Sequence, residues 1–169
     1  MNRSRSTAVH VSGADAALFP SNGGEIASVQ PALLRTLTGA GFIPVVEPSV
    51  YGPILANEEP ANADAIAGAL GSAIEASRVI FFHPAGGLHD PLTHAIFEDL
   101  TPAEALALAD DARIDTSLRT TARAAALGVR AGVGAAQIIN SRIAHACVVE
   151  VLTATHCGTQ VTGGIRMGR

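Results

Sequence analysis

The sequence predicts an α/β fold with parallel strands, and three observations carry that reading. Short β-branched runs alternate with alanine-rich stretches of helical length, the order expected when crossover helices join neighbouring strands. Apolar residues make up 48% of the chain but aromatics only 4%, with no tryptophan, so Ala, Val, Leu and Ile must fill a core of helices packed on sheet. At 169 residues the chain is long enough to bury such a core as one domain or slightly more.

The elements follow in order. A first strand is expected near Ala8–Val11, and the glycine-rich SNGGEIAS after it has the look of a hairpin. Pro31 suits the first turn of a helix through Leu37 that stops in the Gly39–Gly41 region. A second strand is read near Phe42–Glu47, followed by another hairpin-like piece, YGPILANEEP. Asn62 can cap a helix through Ala76, with Asp64 in the first turn, where the helix dipole favours an anion. The apolar run Arg78–His83 is the third strand. Thr101 and Glu104 make a capping-box pattern at the head of TPAEALALA. Further helices are expected at Ser117–Leu127 and His145–Thr153, with strands near Ala135–Ile139 and, at a sheet edge, Thr159–Thr162. Residues 1–7 and 163–169 are expected to be flexible ends around a single domain, 8–162.

Charge and composition narrow the partners. Net charge is −4 and there is no basic run beyond Arg3 and Arg5, which argues against nucleic acid. No apolar stretch approaches the roughly 20 residues that span a bilayer. Cys147 and Cys157 fit no metal or redox spacing, Cys147 reading as a small buried hydrophobe. A soluble cytoplasmic protein is expected. All eleven basic residues are arginine; the chain contains no lysine.

Five segments resemble the acetylglutamate kinase branch of the amino acid kinase family: AVHVSGADAALF, GGEIASVQPALLRTLTGAGFIPVV, NADAIAGALGSAI, VIFFHPAGG and QIINSRIAHACVVEVLTATHCGTQV. They keep the family's order and nearly its spacing over about residues 8–162. The resemblance implies a three-layer sandwich with an open, mostly parallel sheet, equivalent to the carboxyl-terminal, nucleotide-binding half of the family fold. It also implies that the glycine-rich phosphate loop, and the lysine that goes with it, belong to a half this stretch does not contain.

Carried over by position, the family's second catalytic lysine falls on Thr121. Its Asn-x-Asn-Ala-Asp becomes Pro60-Ala61-Asn62-Ala63-Asp64, so a substrate-binding asparagine is Pro60. Asp64 matches an aspartate that orients the two lysines. The Ser-Gly-Lys-Asp-Gly loop is Ser12-Gly13-Ala14-Asp15 here, and the nucleotide-side Thr/Ser-Asp-Val is His83-Pro84-Ala85. An ammonium can follow a migrating phosphoryl group as a point charge, whereas guanidinium is a broad planar fork. Arg119 and Arg123 flank Thr121 at two residues either side, a rotation of about 200° on a helix, so they leave its face. Four apart, they are either solvated or a clamp for phosphate or carboxylate.

The remaining chemistry gathers in His83-Pro84-Ala85-Gly86-Gly87-Leu88-His89-Asp90, with His94 close behind. This cluster follows a buried strand, where α/β sheets bind ligands. His83 is a candidate acid or base with Asp90 or Asp64; ordinary turn histidines are the plain alternative, and no metal site is assigned. The candidate ligand contacts are Ser12, Gly13, Asn62, Gly86, Gly87, Arg119 and Arg123. Three functions remain open. One is a degenerate acetylglutamate kinase-like protein that binds a small anionic or nucleotide-like molecule, or a partner protein. The second is a hydrolase or lyase built on His83. The third is one subunit of a split kinase, the only reading that calls for ATP and Mg. A homo-oligomer or a complex with another chain is expected, because an exposed sheet edge needs cover.

Overall fold

A computed structural model describes residues 7–19, 21–22, 25–26, 28–48, 62–153 and 157–164. They fall into two compact units, Met1–Ile66 and Ala67–Arg169. The piece YGPILANEEP and Pro60 lie outside the described residues.

In the first unit β1 (Ala8–Val11) precedes a short antiparallel pair, β2 (Ser21–Asn22) and β3 (Glu25–Ile26), which is the hairpin expected of SNGGEIAS. Helix α1 (Ala32–Gly39) then leads to β4 (Ile43–Val46). Strands β1 and β4 pair in parallel, Ala8 opposite Ile43 and Val11 opposite Val46, so α1 is the crossover that a parallel pair requires. The helix stops because Gly41 takes φ +81°, a left-handed conformation that suits glycine, and Phe42 N–H bonds back to Leu37 O at 2.9 Å. The unit boundary falls within α2 (Ala63–Ala73). That helix ends three residues before the expected Ala76, where Glu75 turns to φ +56°.

The second unit contains β5 (Arg78–His83), β6 (Asp99–Leu100), α3 (Pro102–Ala109), α4 (Thr116–Arg130), β7 (Ala135–Asn140), α5 (Ala146–Leu152) and β8 (Gly158–Thr162). Its sheet runs β5-β7-β8-β6; β5–β7 and β6–β8 are parallel, β7–β8 antiparallel. Parallel pairing dominates, as expected, but β8 is an inner strand and not an edge. The edge strands of this sheet are β5 and β6, and the two residues of β6 are too few to leave a periodic trace in sequence.

Side chains alternate across β7, and that alternation fixes the layers. Ala136 and Ile138 join one apolar cluster with Ala105 and Ala109 of α3 and Ala122, Ala125 and Ala126 of α4. Gln137 points the other way, its Nε2 donating to Glu150 Oε1 on α5 at 2.7 Å. Helices α3 and α4 therefore cover one face and α5 the other, a three-layer α/β arrangement. Alanine on both sides of the α3–α4 contact lets the helices lie close without aromatic filler. Cys147, expected in the core, is only partly buried.

The capping box heading α3 forms as read. Thr101 Oγ1 accepts from Glu104 N–H at 3.3 Å, and Glu104 Oε2 accepts from Thr101 N–H at 2.8 Å. Thr101→Ala is expected to cost about 1 kcal/mol, read as a lower urea midpoint with an unchanged slope.

Candidate functional site

Strand β5 ends at His83, and the chain must then turn sharply above β7 and β8. Gly86 (φ +82°) and Gly87 (φ +149°) make that turn possible. A Cβ on Gly87 would stand 2.8 Å from Thr159 Oγ1, the hydroxyl that accepts from Leu88 N–H at 2.8 Å. Both glycines thus have a local structural reason to be there, whatever they contact besides.

His83 is buried and bonded on both ring nitrogens. Nδ1 accepts from Ala85 N–H at 3.1 Å, which leaves the proton on Nε2, 2.9 Å from Ser117 Oγ. Ser117 in turn donates to Asp115 Oδ1. The order is carboxylate, hydroxyl, imidazole, so the serine proton is committed to the carboxylate and the imidazole takes no proton from it. The chain ties the end of β5 to the first turn of α4, where Asp115 is the N-cap and also accepts from Ser117 N–H at 2.9 Å.

These bonds, the Ser117 hydroxyl first, hold the Asp115 carboxyl below its ordinary value, with His83 adding a smaller electrostatic pull. A group depressed in the folded state contributes stability above its unfolded value, near pH 3.9, and loses it as pH falls through the lower folded value. The advantage of the native chain over Asp115→Asn is therefore expected to be level at neutral pH and to shrink below about pH 4. Urea midpoints at pH 7 and pH 3 check this.

The loop beyond closes on itself. Asp90 Oδ1 accepts from Leu92 and Thr93 N–H at 2.7 and 2.9 Å, bonds that lower its carboxyl, and His89 Nε2 lies 2.8 Å from Ala85 O. His94 takes φ +59°. Between this loop and α4 lies a cavity of about 360 Å³, lined by His89, Asp90, Pro91 and His94 on one side and by Arg113, Ile114, Asp115 and Leu118 on the other. Asp90 lines it; His83 does not. Arg113 is held by both carboxylate oxygens of Asp111, whose carboxyl it brings down to about 2. Among the described residues no group of three or more His, Cys, Asp or Glu side chains could hold a metal ion.

The other sequence candidates lie elsewhere. Arg119 donates through Nε to Ala109 O at 2.9 Å, and Arg123 pairs with Asp110, so both reach toward the end of α3. Ser12, Gly13, Asn62 and Asp64 belong to the first unit. Ser12 N–H bonds Asp15 Oδ2 at 2.8 Å within a tight turn, and Asn62 Oδ1 caps α2 by accepting from Asp64 N–H at 2.8 Å.

No family model matches the chain. Curated relatives do: acetylglutamate kinase of Synechococcus sp. (strain WH7803) is 31% identical over 96% of this chain and 59% of that protein. Acetylglutamate kinase of Acidiphilium cryptum (strain JF-5) is 35% identical over 82% of this chain and 46% of that protein. Among solved structures, N-acetylglutamate synthase from Neisseria gonorrhoeae superposes at TM-score 0.77 with 18% identity, over 96% of this chain and 39% of that one. Giardia carbamate kinase follows at TM-score 0.66 with 15% identity. The chain is an acetylglutamate kinase homologue with an amino acid kinase fold. It spans about half the length of the curated relatives it matches.

The family implies ATP and Mg, and the cavity is a poor fit for the polyphosphate of ATP. Among the described residues that line it, Arg113 is the one arginine, and it is already committed to Asp111. The N–H groups of Ser117 and Leu118, which a helix start would offer a phosphate, are taken by Asp115. Asp90 and Asp115 would face a polyphosphate with like charge. No phosphoryl-transfer step follows from these residues.

Sequence reasoning passed over Asp115, Ser117 and Arg113. Asp115 carried a signal, since an aspartate directly before Thr-Ser-Leu is a standard helix cap.

Proposed function

We propose that this acetylglutamate kinase homologue binds a small nucleotide-like ligand beside the end of β5 and does not, by itself, phosphorylate acetylglutamate. One observation carries the reading. The chain has no lysine, and the position onto which the family's helix lysine carries over is Thr121, only 2% exposed. No ammonium stands ready to follow a phosphoryl group, and that position does not open toward solvent.

The cavity suits the base and sugar of a nucleotide better than its phosphates. Pro91, Ile114 and Leu118 offer apolar surface, while Asp90 and Asp115 can accept amine or hydroxyl protons. Calorimetric titration tests this: adenosine is expected to bind at least as tightly as ATP. Release of ADP coupled to acetylglutamate phosphorylation by the purified chain would overturn the proposal. The hydrolase or lyase reading gains nothing from His83, whose two nitrogens are engaged by Ala85 and Ser117. The split-kinase reading needs an arginine in the helix-lysine position, and both candidates turn to the end of α3 instead.

A further inference from the structure

We propose that the notch between the end of α3 and the first two turns of α4 is a binding site for a small oxyanion of the phosphate class. The notch encloses about 120 Å³ and is lined by Arg119, Arg123, Thr116, Thr120 and Ala109. That is room enough for a small oxyanion. The lining is not accidental in its spacing. Arg119 and Arg123 stand one helical turn apart, as do Thr116 and Thr120, so two guanidinium forks and two hydroxyls project from one side of the helix.

The donors are present in excess of their internal use. Arg119 spends Nε on Ala109 O, and Arg123 spends Nη2 on Asp110, out of five N–H donors each. Planar forks of this kind match oxyanions in a bidentate manner. Thr120 donates back to Thr116 O at 3.0 Å, a bond its hydroxyl can leave by rotation. The competitor is internal: the Asp110 carboxylate sits on Arg123 and is exposed, as is its partner. An exposed pair of this kind is weak and screened, so an incoming anion can replace it. Asp111 competes less, being held by Arg113.

The site is distinct from the cavity beside β5, and the experiment separates the two. Inorganic phosphate is titrated into the full chain by calorimetry at constant ionic strength, with sodium chloride as the control. Saturable binding is expected, weakened about tenfold in Arg123→Gln and strengthened several-fold in Asp110→Asn, which removes the competitor. A purely structural ion pair would not produce the second effect. Arg119→Gln also removes a bond at the end of α3, so the two substitutions at exposed positions decide the matter. Phosphate heat no greater than that of chloride, or equal affinity in Arg123→Gln, Asp110→Asn and the native chain, would overturn the proposal. Adenosine binding is expected to be the same in all three, so a failure of the nucleotide reading shows independently.

Discussion

Thr121→Lys is expected to destabilise the chain severely and to confer no kinase activity. The position lies in the buried stripe of α4 with Leu118, Ala122, Ala125 and Val129, and its hydroxyl donates to Ser117 O at 3.1 Å. A lysine there must either bury an ammonium among these side chains or force the helix off the core. Burying a charge at a position packed around a threonine belongs to the small class of substitutions that cost about 4 kcal/mol or more. Urea unfolding should show a large drop in midpoint, and coupled ADP release should stay at background. A stable Thr121→Lys protein that phosphorylates acetylglutamate would mean that the helix face is open to substrate and that one side chain separates this chain from its relatives. The outcome thus bears on fold and function together, because the same burial that makes the substitution costly leaves the native site without a place for a mobile ammonium.

Much of the fold is legible where a single segment carries its own signal. Strands β1 and β5 occupy the residues read from their β-branched and aromatic runs, because each run is bounded by residues that break a strand. The head of α3 is equally local, since Thr101, Pro102 and Glu104 specify the cap within four residues. What could not be read depends on partners far away in sequence. β8 looks like an edge strand by itself; only the distant two-residue β6, joined at Leu100 opposite Val161, makes it internal.

The same division holds at the site. The density of His83, His89, Asp90 and His94 marks the end of β5 in sequence. The partner that occupies His83, Ser117, lies 34 residues on. Placing it required α4 to start at Thr116, one residue earlier than the expected Ser117, behind the Asp115 cap. For Arg119 and Arg123 the shared face was legible from their spacing. Their turn toward Ala109 and Asp110 was not, because it depends on the tight Asp111–Arg113 corner and on buried Ile114 between the two helices.

Gly158→Ala tests whether the turn after β5 is as tightly seated as the geometry indicates. Gly158 opens β8, opposite Ile139 on β7. A Cβ there would run into the Ile138 carbonyl oxygen and come within 2.5 Å of Gly86 O. Both obstacles are backbone, so neither can swing aside as a flexible side chain would. Relief requires β8 to move off β7 or the Gly86–Gly87 turn to lift off the sheet. The first breaks an inner ladder of the sheet; the second carries Leu88, fully buried, out of the core. A loss of about 3–5 kcal/mol is expected, at the upper end of overpacking effects because the strain cannot be spread over rotamers. Gly39→Ala makes the comparison: nothing stands within 4 Å of its Cβ, and a helical alanine there should be neutral or slightly stabilising. Urea midpoints of the two variants, measured side by side, decide the point. If Gly158→Ala is as mild as Gly39→Ala, the turn is loosely held, and the cavity that rests on it has no fixed wall. If the large loss is observed, β8, the glycine turn and the floor beneath the His83–Ser117–Asp115 chain stand as one packed unit.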